Sequence, residues 1–216
     1  MRLKGKKVLI TGGSRGLGRA ICIALASEGA NIAFTYRNSG DAVKSLIEEV
    51  KSYGIDVLNF QCDVRDRKAW RSVVGEIENE WESIDSLINN AGINKPTDFD
   101  KITDSDWDEV ISINLKGPFI ATQETFPLLK KSKAASIVNI GSTSGQYGGP
   151  RTAHYAASKA GLISLGQVIA RFGADEDIRC NTIAVGLISS DMAAEGLKSA
   201  TVLKAAESIV LKRLGS

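Results

Sequence analysis

The chain has 216 residues, 43% hydrophobic and 24% charged, and its 27 basic and 25 acidic side chains leave a formal net charge of +2. Such a composition is typical of a soluble globular domain, and so small a charge argues against nucleic acid or an anionic membrane as a partner. After residues 1–7 there is no signal-peptide pattern, and no apolar stretch reaches the roughly 18 residues of a membrane span.

Short apolar runs alternate along the chain with longer segments of helical periodicity. The expected strands are 7–10, 31–36, 56–61, 86–89, 136–142 and 178–185, and the expected helices are 16–28, 41–52, 66–81, 104–130 and 155–173. Uninterrupted apolar strands are buried on both faces, as in a parallel sheet. The alternation therefore predicts an α/β fold, a doubly wound Rossmann-type parallel sheet with helices on both faces. Without a repeat or linker, we expect a single domain over 1–216.

The cysteines indicate the compartment. Cys22, Cys62 and Cys180 are odd in number and widely spaced. This pattern favours free thiols over a disulfide framework or a zinc site, and we expect no metal. A cytoplasmic location follows as an expectation.

A glycine-rich segment, VLITGGSRGLGRAI (8–21), joins the first strand to the first helix. Glycines let the backbone approach a phosphate closely, and the start of a helix offers it free N–H groups. The G-x-x-x-G-x-G spacing is wider than the usual dinucleotide fingerprint, so a purely structural turn stays an alternative. The expected cofactor contacts in this turn are Gly12, Ser14, Arg15, Gly16, Leu17 and Gly18.

The end of the second strand bears on the choice between NAD and NADP. NAD sites usually carry an acidic residue here for the ribose 2′-hydroxyl. This chain reads Tyr36-Arg37-Asn38 instead, and Arg15 lies within the glycine turn. Two guanidinium groups suit a 2′-phosphate, so we expect NADP(H) with Arg37 as a contact. The alternative is that both arginines are solvated surface residues.

Tyr155 and Lys159 stand four residues apart in AHYAASKAGL (153–162). Residues at this spacing share a helix face, so Lys159 could merely cover an aromatic neighbour. Alternatively, the ammonium, together with the positive nicotinamide ring of the oxidised cofactor, lowers the proton affinity of the phenol and makes Tyr155 a catalytic acid. The small residues 156–158 would then let the cofactor and neighbouring helices approach. His154 has no nucleophile pattern beside it, and we interpret it as structural or substrate-lining.

Together these motifs resemble the short-chain dehydrogenases/reductases over the whole chain. TGGSRGLG (11–18) is similar to the cofactor turn of that family, CDV (62–64) to its adenine-contacting turn, and NNAG (89–92) to the motif that lines the cofactor cleft. Asn114, Ser142, Tyr155 and Lys159 match the catalytic tetrad, and Ser142 precedes Tyr155 by 13 residues, as the family pattern requires.

The resemblance implies a role for each matched residue. Tyr155 would exchange a proton with the carbonyl oxygen, Ser142 would hydrogen-bond that oxygen, Lys159 would hold the nicotinamide ribose, and Asn114 would hold a water. The implied cofactor contacts outside the glycine turn are Asp63, Val64, Asn90, Ala91, Gly92, Tyr155, Lys159, Gly186 and Ile188. Val185 stands where the family usually has proline, which is expected to loosen the turn before Gly186.

Within that family the loops and length resemble those of the bacterial 3-oxoacyl-(acyl-carrier-protein) reductases. This resemblance implies NADPH-dependent reduction of a carbonyl, most readily a 3-oxoacyl group on an acyl-carrier protein, by a homo-oligomer (a dimer or tetramer). A dehydrogenase or reductase for a small alcohol, sugar or steroid is the alternative, and a non-catalytic nucleotide-binding protein is a second. KKSK (130–133) could attract an acidic carrier, whereas DED (175–177) would repel one.

Family members usually continue beyond the equivalent of residue 216, so we expect the final strand of the sheet to be missing. Residues 190–207 are expected to form a lid, with Met192, Leu197 and Val202 as its apolar lining.

Overall fold

A computed structural model describes residues 1–38, 40–189, 204, 207, 209–211 and 213–215. Its centre is a six-stranded parallel sheet in the order β3-β2-β1-β4-β5-β6. The strands are β1 (Lys7–Ile10), β2 (Asn31–Tyr36), β3 (Val57–Gln61), β4 (Ser86–Asn89), β5 (Ser136–Ile140) and β6 (Arg179–Ile183). The predicted parallel sheet is confirmed.

The helices follow the predicted segments closely. They are α1 (Gly16–Ser27), α2 (Asp41–Lys51), α3 (Arg67–Trp81), α4 (Asp104–Ile111), α5 (Gly117–Lys130), α6 (Ser144–Tyr147) and α7 (Ala153–Gly173). Short 3-10 turns span Phe99–Lys101 and Ala174–Glu176. α6 was not predicted, and α7 begins at Ala153 instead of the predicted residue 155.

The predicted single helix over 104–130 is wrong in one respect, because a π-helical turn at Ser112–Lys116 separates α4 from α5. The N–H of Gly117 donates to the carbonyl of Ser112, five residues back. Pro118 has no N–H to donate to the carbonyl of Asn114, so a regular α-helix would leave that carbonyl without its partner. The turn places Asn114 in the interior, with none of its surface exposed.

Two apolar layers cover the two faces of the sheet. Along β1, Leu9 packs into the layer that contains Trp70 and Ile169, whereas Ile10 packs into the layer that contains Phe34 and Leu46. This alternation along one strand is the period of a sheet that is buried on both sides. The fold is therefore doubly wound, as the sequence predicted.

The strand order reverses at β1, which lies between β2 and β4. In open α/β sheets, ligands bind at such a switch point, outside the carboxyl ends of the strands. Among the described residues, β6 pairs only with β5, and the chain after it adds one parallel bridge between Ile188 and Gly215. The predicted lid over 190–207 lies outside the described residues except for Lys204 and Glu207. None of the described helices is long and apolar enough to cross a membrane.

Candidate active site

The glycine turn between β1 and α1 forms an open cradle of backbone. Gly12 and Gly16 have φ angles of +65° and +53°, a region that favours glycine, and a Cβ at residue 16 would meet no atom within 4 Å. Gly18 packs in α1 so closely that a Cβ there would lie 2.1 Å from the carbonyl oxygen of Gly12. No side chain caps the start of α1, and its first turn carries no acidic residue. These features fit a bound phosphate group.

Thr11 ties this cradle to the end of β4. Its buried hydroxyl accepts hydrogen bonds from the N–H of Asn90 (3.0 Å) and of Ala91 (2.9 Å). The side-chain amide of Asn90 donates in return to the carbonyls of Thr11 (2.9 Å) and Gly12 (3.1 Å). The segment 90–92 is therefore fixed against the turn, at the place where the sequence predicted the wall of a cofactor cleft.

Asp63 follows β3, and its carboxylate interacts with the guanidinium groups of Arg65 and Arg37. Arg15 and Arg37 are exposed, and Arg65 forms an ion pair with the carboxylate of Asp63 at 2.6 Å. This pair, with a smaller contribution from Arg37, holds the pKa of Asp63 below its ordinary value. Neighbouring Val64 is buried and lies where a Cβ on Gly117 would come within 2.9 Å. Sequence reasoning did not identify Arg65.

Asn114 fastens the segment after Gly92 to α7. Its Oδ1 accepts from the N–H of Ile93 (2.9 Å), and its Nδ2 donates to the carbonyl of Ile93 (2.9 Å) and to the Ser158 hydroxyl (3.1 Å). Both amide protons are thus engaged by the protein. The side chain is a clamp that holds the segment after Gly92 against α7, and a water held by Asn114 stays a prediction.

Lys159 lies under this segment and is only 4% exposed. Its Nζ donates to the carbonyl of Ile140, at the end of β5, at 2.7 Å. A Cβ on Gly92 would lie 3.6 Å from the same Nζ, so the glycine leaves room beside the ammonium. Burial lowers the pKa of Lys159 to about 8.

Tyr155 lies one turn earlier on α7, with the Nζ of Lys159 at 5.7 Å from the centre of its ring. Burial raises the pKa of its phenol, and a hydrogen bond with the buried Ser142 side chain opposes that rise in part. In the protein alone the phenol is therefore held protonated, which differs from the expected lowering. A lowering by Lys159 jointly with a cationic nicotinamide stays a prediction.

The segment after β6 completes the edge. The carbonyl of Val185 accepts from the N–H of Thr143 (3.0 Å), next to Ser142. Gly186 is exposed with no atom within 4 Å of a Cβ position, and Ile188 forms the bridge to Gly215. The structure thus brings Asn114, Ser142, Tyr155 and Lys159 together at the carboxyl edge of the sheet, beside the cradle.

The hydrogen-bonding roles of two further residues at this site, Thr11 and Ser158, were not identified from the sequence, which indicated Ser158 only as a small residue. Both lie inside quoted segments, TGGSRGLG (11–18) and AHYAASKAGL (153–162), but their roles depend on hydrogen bonds to residues 79 and 44 positions away. His154, read as structural or substrate-lining, is fully buried and lines no surface. Among the described residues, no group of three or more His, Cys, Asp or Glu side chains could hold a metal ion.

Comparison with known proteins agrees with this geometry. The family described as short chain dehydrogenase matches residues 6–200. The chain belongs to the short-chain dehydrogenase/reductase family. It is therefore an oxidoreductase that uses a nicotinamide dinucleotide.

Individual relatives differ in the substrates that their names give. A 3-oxoacyl-(acyl-carrier-protein) reductase of Staphylococcus aureus is 38% identical over 87% of this chain and 76% of its own length. The enzyme of that name from Thermotoga maritima is 39% identical over 89% of this chain and 78% of its own length. The structure of carveol dehydrogenase from Mycobacterium avium in complex with NAD matches with a TM-score of 0.85 and 29% identity. The match covers 89% of this chain and 74% of that one. The structure of levodione reductase matches with a TM-score of 0.92 and 29% identity, and the match covers 99% of this chain and 86% of that one.

The crowding at Gly18 gives a test of the cradle. In Gly18→Ala, the added methyl group must displace the backbone of Gly12, so we expect nicotinamide dinucleotide binding to weaken by about tenfold or more. Gly75→Ala is the matched control, because a Cβ there meets nothing within 4 Å in the interior of α3. The control should bind normally and gain about 1 kcal/mol in free energy of unfolding. Equal binding by both variants, measured by calorimetry, would contradict the assignment of the cradle.

Proposed function

We propose that this protein catalyses the NADPH-dependent reduction of a carbonyl to a hydroxyl group. The observation that carries the proposal is the placement of Lys159. The buried ammonium lies beside Gly92, in the segment 90–92 that the hydroxyl of Thr11 holds against the glycine turn. The phenol of Tyr155 lies one helical turn earlier on α7. A charged group is costly to bury, and such groups with shifted pKa values concentrate at functional sites.

The residues of the chain divide the work. The cradle at Gly12–Gly18 would hold the phosphates of the cofactor, and Lys159 would bind its nicotinamide ribose. When bound, the nicotinamide supplies the hydride. Tyr155 would donate its phenolic proton to the substrate oxygen, and Ser142 would hydrogen-bond the same oxygen and fix its position. The raised pKa of the phenol favours the protonated form that this step needs. Asn114 holds the wall beside Lys159.

The charge at the end of β2 supports NADP(H) over NAD(H). Arg15 and Arg37 are exposed, and no carboxylate follows β2 before Asp41. The nearby carboxylate of Asp63 is already paired with Arg65. A 2′-phosphate bound at the end of β2 would therefore be attracted by the guanidinium groups of Arg15 and Arg37.

A 3-oxoacyl thioester is the substrate class that the names of the sequence relatives support. The lysines expected to attract an acidic carrier protein are, however, mostly neutralised. Lys130 pairs with Glu176 at 2.5 Å, and Lys131 pairs with Glu78 at 2.7 Å. This observation favours a second candidate, a dehydrogenase or reductase for a small molecule such as an alcohol, sugar or steroid, and the names carveol dehydrogenase and levodione reductase support a small substrate.

NADPH oxidation with acetoacetyl thioesters, free and carrier-bound, and with a panel of small ketones tests the substrate class. We expect the thioester to be reduced, and activity on ketones alone would contradict the leading assignment.

Tyr155→Phe removes only the hydroxyl, so its turnover should fall by at least about a hundredfold while NADPH still binds. A Tyr155→Phe variant that retains full activity would contradict the role of the phenol.

The cofactor preference is tested at Arg37. Arg37→Asp replaces a cation by an anion, so the ratio of kcat/KM for NADPH to that for NADH should fall by about tenfold or more. Lys4→Asp makes the same charge change on an exposed residue near the amino end of β1 and serves as the control. An unchanged ratio in Arg37→Asp would refute the role of Arg37.

We also propose that the protein is a homo-oligomer in which α5 and α7 face a second copy. Phe119, Val168 and Phe172 on these helices are 42%, 56% and 72% exposed, and the rings of Phe126 and Phe172 lie 5.1 Å apart. Exposed apolar side chains on adjacent helices favour association. Phe172→Asp should lower the mass measured by sedimentation, and a monomeric wild type would contradict the proposal.

The three cysteines are free and buried, which supports a reducing, cytoplasmic location. Cell fractionation tests this location, and recovery outside the cytoplasm would contradict it.

A further inference from the structure

Both backbone polar groups of Tyr155 are hydrogen-bonded by neighbouring side chains. Its N–H donates to the imidazole Nδ1 of His154 at 3.0 Å, and its carbonyl accepts from the hydroxyl of Ser158 at 2.7 Å. His154 and Ser158 are both completely buried. The residue that carries the phenol is thus held from two sides.

The contact with His154 meets a need created by the start of α7. The first N–H groups of a helix have no partner within it, and Thr152 supplies no side-chain cap here. The first backbone bond runs from Ala156 to Thr152 (2.7 Å), and the carbonyl of Arg151 accepts from Thr97 (2.8 Å). The imidazole therefore provides the acceptor that the N–H of Tyr155 would otherwise lack.

An Nδ1 atom that accepts a hydrogen bond carries no proton, so His154 must be the neutral tautomer protonated on Nε2. Burial lowers the pKa of His154, with Asp106 opposing and Lys95 adding to this effect. Nε2 has no hydrogen-bond partner among the described residues. Among the described residues, the imidazole therefore forms one hydrogen bond, the one that it accepts from the N–H of Tyr155.

The contact with Ser158 extends beyond α7. The same hydroxyl accepts from Nδ2 of Asn114 (3.1 Å), which also bonds the carbonyl of Ile93. One buried hydroxyl thereby joins the backbone of Tyr155 to the clamp that holds the wall beside Lys159. A shift of Tyr155 relative to that wall would break this link.

We propose that His154 and Ser158 are positioning residues that hold the backbone of Tyr155 on both sides and so fix its phenol relative to Ser142 and Lys159. The proposal rests on the proposed function, in which Tyr155 transfers the proton. A displacement of about 1 Å at a reacting group can cost up to about a hundredfold in rate, so the two hydrogen bonds that hold the backbone of Tyr155, at 3.0 and 2.7 Å, bear directly on turnover.

Paired variants test the role of His154. His154→Leu keeps an apolar side chain but removes the acceptor, whereas His154→Asn places an amide oxygen where Nδ1 lies. We expect kcat to fall by about tenfold or more in His154→Leu, with the affinity for NADPH unchanged, and to recover in His154→Asn. Equal kcat in the wild type and His154→Leu, or a loss of activity that Asn does not restore, would overturn the role of the imidazole.

For Ser158, the matched pair is Ser158→Ala and Ser164→Ala. Ser164 lies on the exposed side of the same helix, so its substitution should leave kcat unchanged. Ser158→Ala should lower kcat by about tenfold without changing the affinity for NADPH. If Ser158→Ala lowers only the thermal midpoint, its role is structural and the proposal fails for this residue. Because Ser158→Ala removes a single atom, it carries the test if His154→Leu does not fold.

A second measurement does not depend on turnover. The ultraviolet titration of wild type minus that of Tyr155→Phe isolates the ionisation of the Tyr155 phenol, and the same subtraction is made in each variant background. Loosening the phenol from Ser142 should move its titration to higher pH in His154→Leu and Ser158→Ala but not in His154→Asn or Ser164→Ala. A wild type that reduces no carbonyl would contradict the proposed function, and this titration would still decide the positioning role. Unshifted titrations would overturn it.

Discussion

The arrangement of the site depends on the burial of one ammonium group. Lys159 is 4% exposed and donates to the carbonyl of Ile140 at 2.7 Å. Removing a charge from water costs several kcal/mol unless nearby dipoles replace the lost solvent, and a single carbonyl replaces it only in part. The lowered pKa of Lys159 reports this cost. An anionic or hydroxyl-rich ligand beside the ammonium would offset this desolvation cost. The site therefore favours a polar ligand next to Lys159.

The surroundings of Lys159 come from segments far apart in the sequence. Gly145 packs so closely that a Cβ there would lie 2.7 Å from the backbone of Lys159, and Gly92 leaves space on another side. Asn114 reaches the site through a π-helical turn, and its clamp on Ile93 fixes the wall that Thr11 ties to the glycine cradle. The nucleotide end and the catalytic end are therefore one hydrogen-bonded unit, built on the carboxyl ends of β1, β4 and β5.

Much of this could be read from the sequence because it depends on local patterns. The apolar runs gave strands with bounds close to those observed, and the glycine spacing and the Tyr155–Lys159 pair indicated the two ends of the site. The π-helical turn was missed because helical periodicity continues across it, although Pro118 marks the place. The first two residues of α7 were missed although Thr152 is a residue type that favours the N-cap position; its side chain forms no capping bond in the structure.

Other features could not be predicted because they depend on the tertiary fold. Thr11 and Ser158 act through hydrogen bonds to distant segments. From the sequence, KKSK was expected to attract an acidic carrier protein and DED to repel it. In the fold the end of α5 lies beside the turn after α7, so Lys130 of the first segment forms an ion pair with Glu176 of the second. The raised pKa of the Tyr155 phenol follows from burial, which a sequence pattern does not report.

The titration of Lys159 tests the central claim most directly. In protein labelled with carbon-13 at the lysine side chains, the signal of Lys159 is the one that disappears in Lys159→Gln. We predict that this signal titrates near a pKa of about 8 in the protein alone, well below the other lysines. Titration of this signal together with the exposed lysines would show that the ammonium is solvated and would contradict the account.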